Sequence, residues 1–457
     1  MKSELKRFSV TPSVVPADCE SKISIRALDG WMLFYDDVTY EVQIIPADKN
    51  ELPMDEALSL KGMEQFRETR KVQPKNGVIE LTHFFKGEQQ WNIRIRTFEH
   101  DKHELTTHQM NPKSFGWVME RPEQWSIVSV YSLKEDLYNR RALRGDLHIH
   151  TNMTDGDESP ALTAATYRQM GYDFAVITDH YFYDIGQYAR EKFDFKTDFL
   201  LPVGEEIHNG FGGHLHIVNI GSSQSVNEVF RENPERIKKE VEALKEAVDV
   251  PENVDEQEYL YRVWVYLEAK RYGGLVIFPH PYWNIEKVRW HVGHEMSMAI
   301  LKDGLCDAFE IMGGGNAEEN NLQTALYYEA QRQGVNLPVV GSTDSHTVLW
   351  DGNEFKASTY VFTENSNIKK AVLEGYSVAV EHQPDEKNIR LYGPYRLVRY
   401  ARFLTDYYFP LHNELCASVG PVLRDYIQGD KSVKPLLEAL EQRITDFENR
   451  FFGREKE

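Results

Sequence analysis

The alternation of apolar and polar residues predicts a β-rich segment at the start of the chain. Between residues 1 and 140, apolar side chains such as Ile23, Ile25 and Ala27 alternate with polar neighbours. A period of two, interrupted by turn clusters such as 74–77, is typical of antiparallel strands buried on one face. We therefore predict an immunoglobulin-like β-sandwich over 1–140, with an accessory role in structure or substrate presentation.

Residues 143–385 have a different pattern, in which short apolar runs ending in polar residues alternate with helical stretches. The runs lie at 145–150, 174–180, 200–206, 215–220, 275–280, 308–312 and 339–346. Ser159 and Pro160 provide a cap and a first helical proline for the first helix, and Gly171 ends it. This alternation predicts a parallel sheet or a (β/α) barrel, with a Glu- and Lys-rich helical insertion at about 222–273.

The last segment, 390–457, is predicted to be a helical C-terminal extension. Apolar residues recur there at helical spacing, for example Leu397, Tyr400 and Leu404, and such stripes are usually packed against another surface. That surface is either the barrel or a second copy of the chain. The predicted fold class is therefore α/β, with a barrel between a β-sandwich domain and a helical extension.

Composition narrows the possible partners and the compartment. The formal charge of −20 over 457 residues argues against general nucleic-acid binding, because phosphate backbones are held mainly by Lys and Arg. Nothing favours an anionic membrane, whereas one small phosphorylated ligand remains compatible with the charge. Three dispersed cysteines, no apolar signal segment and no long apolar run lead us to expect a cytoplasmic protein.

Metal-type ligands follow most of the predicted strands. His148 and His150 lie on one face of the first strand, about 7 Å apart. The other candidates are Asp155, Asp179, His180, Glu205, Glu206, His214, His216, His280, Asp344 and His346. A single histidine in such a place is usually structural, but crowded carboxylates remain ionised only near cations. The set therefore indicates a centre for divalent metal ions, and mixed imidazole and carboxylate ligands favour Zn, Mn or Fe.

The order of these motifs resembles that of the polymerase and histidinol phosphatase (PHP) family. DLHIHT with a following TDG, then ITDH, GEE, HIV, PHP and STDSH occur in that order over about residues 143–350. Arg144, Gly145 and Asp146 before the first histidine, together with an N-terminal β domain, are most similar to the branch that includes carbaryl hydrolase. The resemblance implies a distorted seven-stranded (β/α) barrel with two or three metal ions.

The resemblance also implies how the ligands are divided. One ion would be held by His148, His150, Glu206 and Asp344, a second by Glu206, His216 and His280, and a third by Asp155, His180 and His346. His214 could replace or support His216, because both point the same way on a strand. Asp146 and Asp179 are expected to accept hydrogen bonds that orient ligating imidazoles.

The implied chemistry is hydrolysis of a small phosphorylated substrate, a phosphate mono- or diester, by a metal-bound hydroxide. We find no recognisable serine or cysteine nucleophile elbow and no phosphate-binding loop motif. His346 or Asp344 would handle protons if not fully engaged as a ligand, and Arg144 would contact an anionic leaving group or form a structural salt bridge. The alternatives are hydrolysis of a carbamate, ester or amide, and an inactive protein that binds metal, a glycan or a partner.

Overall fold

The computed structural model of the chain describes residues 3–28, 33–48, 69–97, 126–208, 215–349, 356–382 and 389–454. The chain forms two compact units. Unit one comprises Met1–Asn139, Phe403–Leu411 and Ile444–Glu457, and unit two comprises Arg140–Arg402 and His412–Arg443. Among the described helices, none has the length and apolar character required to cross a membrane.

The described part of unit one contains two β-sheets. Its strands are β1 (Phe8–Thr11), β2 (Val14–Pro16), β3 (Cys19–Ala27), β4 (Tyr40–Pro46), β5 (Arg70–Val72), β6 (Val78–Phe85), β7 (Gln89–Thr97) and β8 (Ser126–Leu133), followed by the short helix α1 (Glu135–Tyr138). The strand orders are β1-β3-β6 and β2-β8-β7-β4-β5. All neighbours are antiparallel except β2 and β8, which run parallel.

One apolar cluster fills the core of unit one. It takes alternate residues from both sheets, including Ile23 and Ile25 of β3 and Ile93 of β7. Trp91 lies in the same cluster, and its indole Nε1 donates a hydrogen bond of 2.9 Å to Ser132 Oγ. The alternation in the sequence thus corresponds to buried and exposed faces, while the immunoglobulin-like topology and the accessory role stay predictions.

Unit two is a mixed α/β structure. Its strands are β9 (Arg141–Ile149), β10 (Phe174–Ile177), β11 (Gly204–Ile207), β12 (Ile217–Ile220), β13 (Leu275–Phe278), β14 (Asn284–Ile285), β15 (Arg289–Trp290), β16 (Ala308–Met312), β17 (Val339–Gly341), β18 (Ala357–Thr363), β19 (Ser377–Glu381) and β20 (Arg390–Tyr392). Its helices are α2 (Pro160–Gln169), α3 (Gly186–Arg190), α4 (Val226–Glu232), α5 (Pro234–Leu244), α6 (Glu256–Arg271), α7 (His294–Lys302), α8 (Ala317–Arg332) and α9 (Ile368–Leu373).

Ten of the described strands of unit two form two five-stranded sheets, β10-β9-β18-β19-β20 and β11-β12-β13-β16-β17, and β14 pairs separately with β15. Short parallel bridges join them: Phe174 with Leu200 and His180 with Glu206 connect β10 to β11, and Ile149 with Ser345 connects β9 to the segment after β17. The strands that the sequence pattern predicts therefore follow one another in a continuous hydrogen-bonded series. The ends that carry the polar motifs meet at one edge, called the mouth below.

The parallel order of the predicted strands is interrupted at β12. This strand runs antiparallel to both β11 and β13. The connection from β11 to β12 has only nine residues, 208–216, which is too short for a crossover helix, so the chain must turn back. The amino end of β12, not its carboxyl end, therefore lies at the mouth, and His216 precedes that end directly.

Three helices occupy most of the C-terminal segment: α10 (Tyr395–Tyr407), α11 (Phe409–Ile427) and α12 (Lys434–Phe452). They do not form a unit of their own, because each is divided between units one and two. In unit one, Tyr407 Oη accepts a hydrogen bond from Ser129 Oγ at 2.9 Å. In unit two, Arg168 on α2 forms an ion pair with Glu441 on α12, both of them buried. The described part of 390–457 is thus largely helical, and its role as an extension stays a prediction.

Candidate metal centre

Four side chains converge at the mouth in what we call the inner cluster: His148, His150, Glu206 and Asp344. The Nε2 atoms of His148 and His150 are 3.2 Å apart. His148 Nε2 lies 3.3 Å from Glu206 Oε2 and 3.2 Å from Asp344 Oδ1. The corresponding distances from His150 Nε2 are 3.2 and 3.1 Å. Four atoms that carry lone pairs thus face one common point.

These distances fit a tetrahedral metal site. Metal–ligand bonds of about 2.0–2.1 Å give ligand–ligand edges of about 3.3–3.4 Å, close to the spacing of the inner cluster. Hydrogen bonding explains the spacing less well. Glu206 Oε2 is buried and has no hydrogen bond of good geometry among the described residues, although three imidazole nitrogens lie within 3.3 Å. The donor set therefore fits a divalent ion.

Glu310 fixes the tautomer and the orientation of the His148 imidazole. Its Oε2 lies 3.2 Å from His148 Nδ1, and both side chains are fully buried. A proton on Nδ1 that is donated to Glu310 leaves the lone pair of Nε2 facing the inner cluster, which is how outer carboxylates orient ligating histidines. Glu310 Oε1 also accepts a hydrogen bond from the backbone N–H of His280 at 3.3 Å. One carboxylate thus supports two candidate ligands.

The charges of the inner cluster need a compensating cation. Burial alone would raise the pKa of Glu206, but the imidazoles of His216 and His148 outweigh it and hold that pKa well below its usual range. Burial alone would lower the pKa of His148, but Asp344 and Glu206 raise it well above its usual value. Two protonated imidazoles 3.2 Å apart would repel each other. A metal ion supplies the positive charge without that repulsion.

Glu206 also belongs to the second cluster, Glu206, His216 and His280. Its Oε1 lies 2.8 Å from His216 Nδ1 and 3.3 Å from His280 Nε2. Since Oε2 faces the inner cluster, the two oxygens of one carboxylate serve adjacent groups of ligands. His280 also lies 3.9 Å from Asp344 Oδ2. Glu206 and Asp344 thus link the inner and second clusters.

Glu205, the neighbour of Glu206 on β11, faces the opposite side of the strand. Its carboxylate accepts hydrogen bonds from Ser225 Oγ at 2.6 Å and from the backbone N–H of Val226 at 2.8 Å, at the start of α4. Burial raises the pKa of Glu205, and these donors offset part of that effect. The period-two geometry of the strand therefore assigns the metal-facing position to Glu206 and a structural position to Glu205.

The outer cluster consists of His150, Asp155, His180 and His346. Asp155 Oδ2 lies 3.4 Å from His180 Nε2 and 3.3 Å from His346 Nε2, and Asp155 Oδ1 lies 3.5 Å from His150 Nδ1. The side chain of Asp155 is 47% exposed and that of His346 is 42% exposed. The outer cluster therefore combines the same kinds of ligand as the inner cluster with access to solvent.

Asp179 holds the loop that carries Asp155. Its carboxylate accepts hydrogen bonds from Thr151 N at 2.9 Å and from the hydroxyl groups of Thr151 and Thr154. Gly156 closes this loop, because a Cβ at that position would lie 2.7 Å from Thr151 N and 2.8 Å from the carbonyl of His150. The loop thus depends on an aspartate and a close approach that only glycine permits.

The expected role of Asp146 and Asp179 in orienting imidazoles is not observed. Asp146 accepts hydrogen bonds from the backbone N–H groups of His148 and Thr343, both at 3.1 Å, and from Tyr167 Oη at 2.9 Å. Burial raises the pKa of Asp146 to about 6 despite these donors. Both aspartates hold backbone and loop segments, and the imidazole-orienting carboxylate is Glu310.

Two candidate ligands occupy unfavourable backbone conformations. His280 has φ of 25° and Asp344 has φ of 50°, both in the region that favours glycine. Such residues cost about 1–3 kcal/mol each and persist where surrounding contacts hold them. For Asp344, the contacts include its carbonyl oxygen, which lies 2.8 Å from His346 Nδ1. His280 and Asp344 at the mouth therefore adopt backbone conformations that residues other than glycine disfavour.

The structure brings together most of the sequence-predicted site residues. The inner, second and outer clusters contain His148, His150, Asp155, His180, Glu206, His216, His280, Asp344 and His346. His214 lies outside the described residues. Arg144 belongs to none of the three clusters, because it lies four residues before His148, about 13 Å along the strand. Its guanidinium stacks 4.2 Å from the ring centre of Tyr172.

Glu310 and His208 lie at the mouth and were not found from the sequence. Glu310 is a single carboxylate inside the apolar strand β16, and that isolation is a usable signal. His208 follows Glu206 by two residues and therefore shares its face of the chain. Its ring centre lies 4.8 Å from that of His180 and 4.9 Å from that of His216, and the three form a further group of potential ligands.

Comparison with known proteins gives only distant structural likenesses. No family model matches the sequence, and no curated protein is detectably similar to it. A two-domain protein from Bacteroides vulgatus, described as containing a PHP-like metal-dependent phosphoesterase, is 19% identical, with a TM-score of 0.41, over 57% of this chain and 69% of its own.

Two smaller structures are similarly distant. A candidate metal-dependent phosphoesterase from Bifidobacterium adolescentis is 19% identical, with a TM-score of 0.32, over 44% of this chain and 87% of its own. An amidohydrolase from Chromobacterium violaceum, with bound sulfate and no metal, is 17% identical, with a TM-score of 0.31, over 46% of this chain and 89% of its own. At this distance, function has to be inferred from the residues of the site.

Proposed function

We propose that this protein is a metal-dependent hydrolase that cleaves a phosphate mono- or diester. The observation that carries the proposal is the inner cluster, in which two buried imidazole nitrogens lie 3.1–3.3 Å from each other and from one oxygen each of Glu206 and Asp344. Glu206 links this cluster to further ligands. A purely structural role would require only hydrogen-bonded pairs. Three adjoining clusters of this kind are suited to two or three divalent ions, with Zn, Mn and Fe as the candidates.

The division of ligands follows the clusters. His148, His150, Glu206 and Asp344 would hold one ion, and Glu206 with His216 and His280 would hold another. Asp155, His180 and His346 would hold a third ion at the exposed side. When bound, such ions lower the pKa of water and neutralise charge on phosphoryl oxygens. We also propose membership of the PHP family on the order of the motifs, while the carbaryl hydrolase branch and the cytoplasmic location stay predictions.

The residues of the chain supply positioning and proton transfer. The Nδ1 of His346 faces the carbonyl oxygen of Asp344, which directs its Nε2 toward Asp155. When His346 does not hold an ion, its 42% exposed side chain can exchange a proton with solvent and pass it to a leaving oxygen. Asp344 is 28% exposed and is the most accessible member of the inner cluster. Substrate therefore approaches from the side of the outer cluster, and Arg144, on β9 away from the mouth, has no part in this step.

The test combines elemental analysis with a panel of substrates. The purified chain, loaded with Mn²⁺ or Zn²⁺, is assayed in parallel on p-nitrophenyl phosphate, bis-p-nitrophenyl phosphate and naphthyl methylcarbamate. We expect at least two ions per chain and turnover of a phosphate ester that is lost on chelation. Turnover of the carbamate alone would replace the phosphoesterase proposal by carbamate or amide hydrolysis. Bound ions with no turnover would indicate a binding protein.

A further inference from the structure

Two exposed aromatic side chains stand beside the candidate ligands. Trp283 is 43% exposed, and its ring centre lies 5.7 Å from that of His216 and 5.9 Å from that of His280. Tyr181 is 46% exposed, and its ring centre lies 5.9 Å from that of His180. Each ring thus lies directly beside an imidazole of the second or outer cluster.

The protein holds Trp283 in place at the base of a small hairpin. Strands β14 and β15 pair Asn284 with Trp290, and the N–H of His291 donates to the carbonyl oxygen of Trp283 at 2.9 Å. The N–H of Trp283 donates to the carbonyl oxygen of His280 at 3.0 Å. The backbone of Trp283 is therefore tied directly to a candidate ligand.

The backbone around Tyr181 is also held by specific contacts. It has φ of 61°, in the region that favours glycine, and the N–H of Phe182 donates to the carbonyl oxygen of His180 at 2.6 Å. Arg231 of α4 donates a hydrogen bond to the carbonyl oxygen of Tyr181, and its guanidinium lies 5.7 Å from the ring centre of Phe182. A strained conformation maintained by such contacts, with an aromatic ring left open to solvent, is characteristic of functional sites.

We infer that Trp283 and Tyr181 form an aromatic rim that binds a flat ring on the substrate, so that the preferred substrates are aryl or heteroaryl phosphate esters. This inference rests on the proposed function. An apolar ring placed on the rim would cover exposed aromatic surface and stack on it, while the phosphoryl group lies at the clusters. Trp290 lies on the same hairpin, and its ring centre is 5.7 Å from that of Tyr282. Among the described residues its ring contacts no candidate ligand, so Trp290 is a matched control.

The test measures binding to the Mn²⁺-loaded chain by calorimetry, with methylphosphonate and phenylphosphonate as non-hydrolysable probes. We expect phenylphosphonate to bind more tightly, and Trp283→Leu to reduce that preference by roughly tenfold, the upper range for an aromatic contact. Trp283→Phe should retain most of the preference. Trp290→Leu should leave the preference and the metal content unchanged.

The outcomes separate this inference from the proposed function. If both probes bind and the preference survives in Trp283→Leu and in the double variant with Tyr181→Leu, the aromatic rim is wrong while phosphoryl recognition stands. If neither probe binds to the metal-loaded chain, the proposed function fails and the rim falls with it. If Trp283→Leu and Trp290→Leu reduce the preference equally, the effect belongs to the hairpin as a whole, and the role of Trp283 is refuted.

Discussion

The inner and outer clusters both consist of imidazoles and carboxylates, but the inner cluster is mostly buried whereas the outer cluster is accessible to solvent. The side chains of His148, His150 and Glu206 are fully buried, whereas those of Asp155 and His346 are almost half exposed. Desolvation strengthens electrostatic interactions with an ion and leaves fewer competing waters. We therefore expect the inner cluster to hold its ion tightly and the outer cluster to exchange its ion and to meet substrate. His150 belongs to both clusters, so the two sites are coupled.

Removal of the shared carboxylate should have the largest effect. Glu206→Gln replaces the carboxylate that the inner and second clusters share with a neutral amide. The negative charge between the two clusters is lost. We expect kcat/KM to fall by more than about a hundredfold, because even residues outside the ligand shell cost about 10–100-fold. Elemental analysis should show fewer ions per chain.

Glu205→Gln is the control for this variant, since it changes the adjacent residue on the other face of β11. It should keep its metal content and turnover, while the free energy of unfolding falls by about 1–3 kcal/mol through weakened hydrogen bonds at the start of α4. Unchanged metal content in Glu206→Gln would refute the bridging role.

A second variant tests the outer cluster alone. His346→Ala removes one exposed ligand and the proposed proton donor, so we expect kcat to fall by about a hundredfold while the ion of the inner cluster is retained. The comparison variant is His150→Ala, which should empty both clusters. If His346→Ala releases every ion, the two clusters do not differ in the way proposed.

A third variant weakens the inner cluster without touching a ligand. Glu310→Gln keeps the shape of the side chain but removes the negative charge beside His148 Nδ1. Affinity for metal, measured by competition with a fluorescent chelator, should fall by roughly tenfold, with kcat at saturating metal nearly unchanged. Glu329→Gln on the exposed face of α8 is the control, and an equal loss of affinity in both variants would contradict the role of Glu310.

The smallest effect is expected from the loop that carries Asp155. Gly156→Ala introduces a Cβ that would lie 2.7 Å from Thr151 N, so the loop must shift. We expect a loss of a few-fold in the affinity of the more weakly held ion and no change in the tightly held one, both followed by chelator titration. Equal weakening of both ions would indicate that the loop supports the whole mouth.

The sequence predicted which side chains converge at the mouth better than it predicted the directions of the strands. Strand-end motifs are local, so alternation alone places His148 and His150 on one face and separates Glu206 from Glu205. The direction of β12 follows from the nine-residue connection 208–216, which is too short for a crossover helix, and the i, i+2 histidine pattern alone does not encode it. Glu310 was missed because its partner is 162 residues away and its own strand is otherwise apolar.

The unusual backbone angles at His280 and Asp344 have an evolutionary consequence. Glycine at either position would relieve the conformational penalty, and variants selected for thermal robustness alone would tend to drift toward it. A histidine and an aspartate there thus lower the stability of the chain by about 1–3 kcal/mol each and keep two candidate ligands at the mouth. A screen that rewards heat resistance without requiring metal binding should recover substitutions at these two positions early.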